Sequence, residues 1–165
     1  MSFLIDRMQP PDWGTVREIY LQGIAGGQAT FETEAPSWEG WDANHLAFAR
    51  LVARDDQGVI GWAALSPVSQ RRAYAGVAEE SVYVAFDKHG MGVGRQLLEA
   101  LISESEQNGI WTLQAVMFAG NQASVALHQA CGFREVGRRE RISKLQGVWR
   151  DTILFERRST RIGVE

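Results

Sequence analysis

Residues 81–102 read "SVYVAFDKHGMGVGRQLLEALI": an apolar run, three glycines at alternate positions (Gly90, Gly92 and Gly94), then leucines at helical spacing. The apolar run Val77–Phe86 predicts a strand, and Leu97, Leu98, Leu101, Ile102 and Ser105 share one face of a helix that Asn108-Gly109 stops. A strand-to-helix turn needs about one glycine, so the other two ask for a reason. Glycines at alternate positions let successive backbone N–H groups converge, because no Cβ blocks positive φ or close approach. If the turn opens a helix, the unpaired amides and the dipole of that helix end add to the attraction for an anion. A tight turn without a ligand fits the same pattern. A Walker A loop does not, because Lys-Ser/Thr is missing after the glycine, where Arg95-Gln96 stands. A dinucleotide fingerprint needs two residues between its last glycines and sits in a first strand-helix turn, whereas this turn follows the fourth predicted strand.

Working outward, "SFLID" is a short first strand. The next stretch, "PPDWGTVREIYLQGIAGG", spaces Trp13, Val16, Ile19, Tyr20 and Ile24 as a helix, with Asp12 as candidate cap and Gly26-Gly27 as its end. "QATFETEAPSWEGW" follows neither period and reads as a loop before a short helix around Trp38–His45. "AFARLVARDDQGVIGWAALSP" is a hairpin turning at Asp55-Asp56-Gln57-Gly58. Beyond the glycines, "WTLQAVMF" is a strand, and "NQASVALHQACGF" is a helix with Asn121 as N-cap and Gly132 past its end. Two further strands meet at Lys144–Gly147. The order β-α-α-β-β-β-α-β-α-β-β predicts one α/β domain over residues 1–165, a mixed sheet with helices on both faces.

Bulk properties narrow the function. A net charge of −3 and a pI of about 5.7 argue against nucleic acid as the main partner. The single cysteine, Cys131, leaves neither an intramolecular disulfide nor a cysteine zinc cage and suits a reducing cytoplasm. No apolar run approaches the roughly 20 residues that span a bilayer. The opening "MSFLIDRMQPPDW" has no signal-peptide core. The expectation is a cytoplasmic chain with no membrane partner.

Together, "YVAFDKHGMGVGRQLL" and "NQASVALHQACGF", one strand apart, resemble the GCN5-related N-acetyltransferase (GNAT) superfamily. Its Gln/Arg-x-x-Gly-x-Gly/Ala pattern maps onto His89-Gly90-Met91-Gly92-Val93-Gly94, with His89 departing from the usual first residue. "IAGGQATFETE", "RRAYAGVAEESVYV" and "RERISKLQGVWRDTILFERR" extend the likeness, from about Ile19 to Arg158, to the branch of phosphinothricin and methionine sulfoximine acetyltransferases. The resemblance implies a mostly antiparallel sheet with central splayed parallel strands. It implies acetyl transfer from acetyl-CoA to the amine of a small amino acid or analogue, without a metal and commonly in a homodimer. Acetyl-CoA would lie along Val84, Ala85, Phe86, His89 to Arg95, Asn121 and Ser124. Val84 N–H would polarise the thioester carbonyl at the splay.

The resemblance also sorts the candidate chemistry. Alternation places Glu79, Ser81 and Tyr83 on one strand face and Glu80, Val82 and Val84 on the other. Glu79 matches the branch's glutamate near the substrate amine and is the candidate general base; a salt bridge to Arg71 or Arg72 is the plainer alternative. Glu80 reads as a solvent or salt-bridge residue, and a one-residue slip would exchange the two. His128 stands where many members carry a tyrosine that protonates the departing thiolate. A lone helical histidine is otherwise commonly a surface or packing residue. Arg72, Ala73 and Tyr74, with Phe31, Glu32, Val82 and Tyr83, are the candidate substrate contacts, since an arginine fork suits an amino-acid carboxylate. Phe31 and Trp38 serve equally as core or dimer contacts, and the arginines at 138, 139, 141, 157 and 158 read as a charged sheet face. Two other functions compete: acetylation of a protein N-terminus or polyamine, and a non-catalytic acyl-CoA sensor.

Overall fold

The computed structural model describes residues 2–165. Its strands are β1 (Leu4–Arg7), β2 (Leu51–Asp55), β3 (Gly58–Pro67), β4 (Val77–Val84), β5 (Thr112–Phe118), β6 (Arg134–Leu145) and β7 (Val148–Arg158). Its helices are α1 (Trp13–Gly26), α2 (Trp38–Asn44), α3 (Val93–Gln107) and α4 (Gln122–Ala130). The seven strands form one sheet in the order β1-β2-β3-β4-β5-β7-β6. Every neighbouring pair is antiparallel except β4 and β5, whose parallel register spans only Val77–Glu79 against Thr112–Gln114. Helix α3 makes the crossover between them. This is the mixed, mostly antiparallel sheet with a central parallel pair that the sequence predicts.

The period of two along each strand decides which layer a residue enters. On β2 and β3, Val52, Trp62 and Ala64 pack with Val16 and Ile19 of α1. Their neighbours Ala53, Ala63 and Leu65 pack with Val93, Leu97, Leu98 and Leu101 of α3. The two helices therefore cover opposite faces, and the register carries both layers onto β4. Trp62 and Tyr83 pair on the α1 face; Leu65 and Glu80 pair on the α3 face.

Local chemistry sets the element ends. Helix α1 stops at Gly27, left-handed with φ 68°, whose N–H reaches Ile24 C=O. The expected Asp12 side-chain cap of α1 does not form; its carboxylate accepts Gln9 N–H and both terminal nitrogens of Arg54. The β6–β7 turn runs through Gln146 and Gly147, with φ of 50° and 80°, the signature of a tight two-residue hairpin. Strand β4 ends at Val84, two residues short of the expected Phe86, because the chain bends into a 3₁₀ turn at Phe86–Lys88. Many of the late arginines are paired: Arg134 with Glu156, Arg138 with Asp151 and Arg157 with Glu106.

Gly76 sits where β4 and β5 first meet. Its carbonyl accepts both Trp111 N–H and Thr112 N–H, and a Cβ there would lie 2.1 Å from Trp111 Cε3. Gly76→Ala is expected to cost about 1–3 kcal/mol by overpacking, with a matching fall in denaturant midpoint. An unchanged midpoint would show that the indole yields freely.

Candidate active site

The parallel pairing of β4 and β5 covers three residues, after which no ladder joins the strands. On the other side β4 stays paired with β3 to its end, and Ala85 N–H still reaches Ile60 C=O at 2.8 Å. Because successive amides of a strand point to opposite edges, Ala85 and Tyr83 face β3, whereas Val82 and Val84 face the gap. Into that gap opens a cleft of about 1250 Å³ that touches both faces of the sheet.

The glycine turn forms one end of the cleft. Gly90 and Gly92 have φ of 76° and 82°, and a Cβ on either would meet nothing within 4 Å. Glycine is therefore needed there for backbone conformation, not for space. Gly92 caps α3 without a side-chain bond to the first amides, so they remain available to an anion. Gly94 has another role: a Cβ would come 3.5 Å from Leu127 of α4 and 3.6 Å from Val84, so it marks where α3 lies close to both. His89 donates through Nε2 to Val84 C=O at 3.0 Å, spending its side chain on the strand end. Arg95 lines the cleft while pairing with Glu99. Of the expected donor-binding residues, Ala85, Phe86 and Met91 lie outside the lining; Phe86 and Met91 are exposed, and Phe86 N–H is taken by Gln22.

Helix α4 supplies the wall on the α3 face. Asn121 caps it by accepting Ser124 N–H and ties it to the loop after α1 by donating to Gln28 C=O. One turn on, His128 is buried between two acceptors: Nδ1 lies 2.7 Å from Ser124 C=O, and Nε2 lies 2.5 Å from Glu80 Oε1. Burial disfavours charge on this ring. The hydrogen bond and charge of Glu80, with the Ser124 carbonyl, outweigh it and hold the imidazole above its ordinary value. The ring edges pack on Phe133 and Phe155. Glu80 is thus a salt-bridge residue, as one of its two sequence readings had it. It is not a solvent residue: it is 8% exposed and Oε2 has no partner.

The α1 face carries the rest. Glu79 lines the cleft, and its Oε1 accepts Gln114 Nε2 at 2.9 Å. No ion pair joins it to Arg71 or Arg72 among the described residues. Tyr83 stacks on Trp62 and meets Tyr20, and burial drives its phenol well above the ordinary tyrosine value, so it stays neutral. Phe31 meets Phe118 edge-on, and Phe31, Glu32, Val82 and Tyr83 all line the cleft. Arg72, Ala73 and Tyr74 do not: they form an exposed 3₁₀ turn outside it. The guanidinium fork expected for a substrate carboxylate is therefore not part of the cleft wall in the single chain. Several residues at the site carried no sequence signal. Gln114, which holds Glu79 from outside the lining, looks like any strand glutamine, and Trp41 of α2 and His45 just past its end, stacked 4.1 Å apart in the cleft wall, belong to no motif.

The splayed sheet, the glycine turn and titratable side chains on each face of the gap thus meet in one cleft. The acetyltransferase (GNAT) family profile matches residues 13–133, and the chain belongs to that family. It is an acetyltransferase by descent. It is 35% identical over 153 residues to a phosphinothricin N-acetyltransferase of Alcaligenes faecalis, covering 88% of this chain and 77% of the relative. It is 34% identical over 134 residues to an L-methionine sulfoximine/L-methionine sulfone acetyltransferase of Pseudomonas aeruginosa, covering 81% and 73%. Among solved structures, it resembles a phosphinothricin acetyltransferase from Sinorhizobium meliloti in complex with AcCoA (TM-score 0.87, 30% identity, 96% and 89% covered). It resembles equally a ribosomal-protein-alanine N-acetyltransferase from Brucella melitensis (TM-score 0.89, 30% identity, 94% and 99% covered).

Proposed function

We propose that this chain transfers the acetyl group of acetyl-CoA to the amine of a small amino acid or analogue, of the phosphinothricin, methionine sulfoximine or methionine sulfone type, directly within a ternary complex. The observation that carries this reading is the placement of Glu79 and His128 on opposite faces of one gap, beside a turn whose amides are free for a pyrophosphate. Acetyl-CoA supplies an acetyl group on a thioester. Glu79, acting through water, takes a proton from the arriving ammonium; the neutral amine then attacks, its nitrogen loses a second proton to cleft water as the N–C bond forms, and Val84 N–H faces the carbonyl oxygen. His128 gives a proton to the sulfur as the C–S bond breaks. The carboxylates of Glu32 and Glu79 on the α1 face suit an acceptor that arrives as an ammonium.

The test is CoA release from acetyl-CoA with a panel of amines: the three analogues above, a polyamine and a peptide beginning with alanine. Acceptor-dependent release confined to the small amino acids is expected. Preference for the peptide, which the likeness to the ribosomal-protein-alanine enzyme favours, would move the assignment to protein N-termini. Tight acetyl-CoA binding without acceptor-dependent release would make the chain a sensor.

A further inference from the structure

The Glu80–His128 contact is more than a salt bridge buried by accident. Ser124 C=O can only accept, so Nδ1 of His128 carries a hydrogen. A neutral ring would then turn the Nε2 lone pair toward Glu80 Oε1 at 2.5 Å, two acceptors in contact. The contact is satisfied only with a proton between the two atoms. Glu80 Oε2 has no partner, and among the described residues the ion pair of Glu80 is with His128. Among the described residues no other cation pairs with the carboxylate, so its charge falls on the imidazole.

We propose that Glu80 is a positioning residue: it keeps a proton on His128, so that the ring enters the reaction as the acid for the leaving thiolate. This rests on the acetyl-transfer reading above. As the C–S bond breaks, the pair's proton passes to sulfur and yields the thiol. Glu80 is left as a carboxylate against a neutral ring, an arrangement that reloads from cleft solvent. The protons of the acceptor leave separately, on the Glu79 face, so a turnover that begins with an ammonium releases two protons and takes one up.

The surroundings fit a pair of this kind. Phe133 and Phe155 flank the ring, and Leu65 is the β3 partner of Glu80. Two other titratable groups feel the charge of Glu80: Cys131 beyond the end of α4, which also feels Glu99 and Arg95 on α3 and Arg157 on β7, and Tyr83 on β4, which also feels Tyr20 and Glu32. Burial pushes the Cys131 thiol up and, with the neighbouring charges, the Tyr83 phenol too, so both stay neutral where the pair works. Arg95 and Arg157 pair with Glu99 and Glu106.

The test compares wild type, Glu80→Gln and Glu80→Asp by three measurements: NMR titration of the His128 ring nitrogens, the pH dependence of kcat with methionine sulfoximine, and the pH dependence of Tm. In wild type the ring is expected to hold its proton above the ordinary value near 6.5. In Glu80→Gln burial is opposed only by the Ser124 carbonyl, so titration falls to lower pH, and the alkaline limb of kcat moves with it. On the alkaline side of both limbs kcat is expected to fall about tenfold for each pH unit the limb moves, with KM for acetyl-CoA changed less than about twofold. Glu80→Asp is expected to restore part of both shifts.

The stability sign follows. A raised folded value adds stability that is complete below the ordinary imidazole value and is lost as pH rises through the folded one. Wild-type Tm should fall across that window, and Glu80→Gln should remove the slope. An unmoved NMR titration, or a uniform loss of kcat at every pH, overturns the proposal, as does a shifted titration with an unshifted kcat limb. If Glu80→Gln fails to fold, the wild-type titration and the Asp variant still decide. Failure of the transfer reading is seen separately, as absent acceptor-dependent CoA release by wild type. The NMR and Tm readouts do not depend on turnover.

Discussion

Replacing His128 with alanine is expected to lower kcat by about 10²–10⁴-fold, the range that one positioned acid contributes. The dissociation constant for acetyl-CoA should stay within a few-fold of wild type. The separation follows from where the two jobs lie. On the proposed reading the phosphates rest on main-chain amides at Gly90–Gly92 and the first turn of α3, and His128 bonds instead to Ser124 and Glu80. The same substitution strands Glu80, 8% exposed, without a partner, a change that typically costs about 3–5 kcal/mol. A fall in stability is therefore part of the expected result and would confuse it if read alone. Pairing His128→Ala with Glu80→Leu removes the stranded carboxylate; Tm should largely recover while kcat stays low. Turnover at the wild-type level in either variant would exclude His128 as the acid.

The fold was legible because its signals are local and periodic. Val16 and Ile19 on α1, and Leu97 and Leu101 on α3, announce their faces by spacing alone, and Gly27 and Gly132 announce helix ends by their left-handed φ. Alternation also sorted Glu79 from Glu80 correctly, because the register of β4 is pinned by seven residue pairs with β3. What alternation could not tell is which face holds a burial partner. Glu80 and His128 lie 48 positions apart and meet only because the crossover through α3 brings α4 over that face of β4. Arg72 shows the converse. Its local chemistry suits a carboxylate, but the exposed turn that carries it is not among the residues lining the cleft of the single chain. The end of β4 was misjudged by two residues, since Ala85 and Phe86 are apolar enough for a strand. The bend into the 3₁₀ turn comes after the β5 partner has already departed.

Glu79→Gln is the substitution expected to separate base catalysis from binding. Glutamine keeps the shape of the side chain, and its carbonyl can still accept the Gln114 amide that Glu79 Oε1 accepts at 2.9 Å. Stability should then change little, because Glu79 makes no ion pair among the described residues and its burial is only partial. What is lost is the ability to take a proton from the amine, which is expected to lower kcat/KM by about 10²–10³-fold below the acceptor's own pKa. As pH rises through that pKa the acceptor arrives already neutral, so the deficit should shrink steadily. His128→Ala should behave in the opposite sense, because raising pH does nothing to supply an acid. The pH profiles of the two variants, run with one acceptor, therefore distinguish the two faces of the gap. A Glu79→Gln deficit that holds constant up to high pH would mean that Glu79 positions the acceptor rather than deprotonating it.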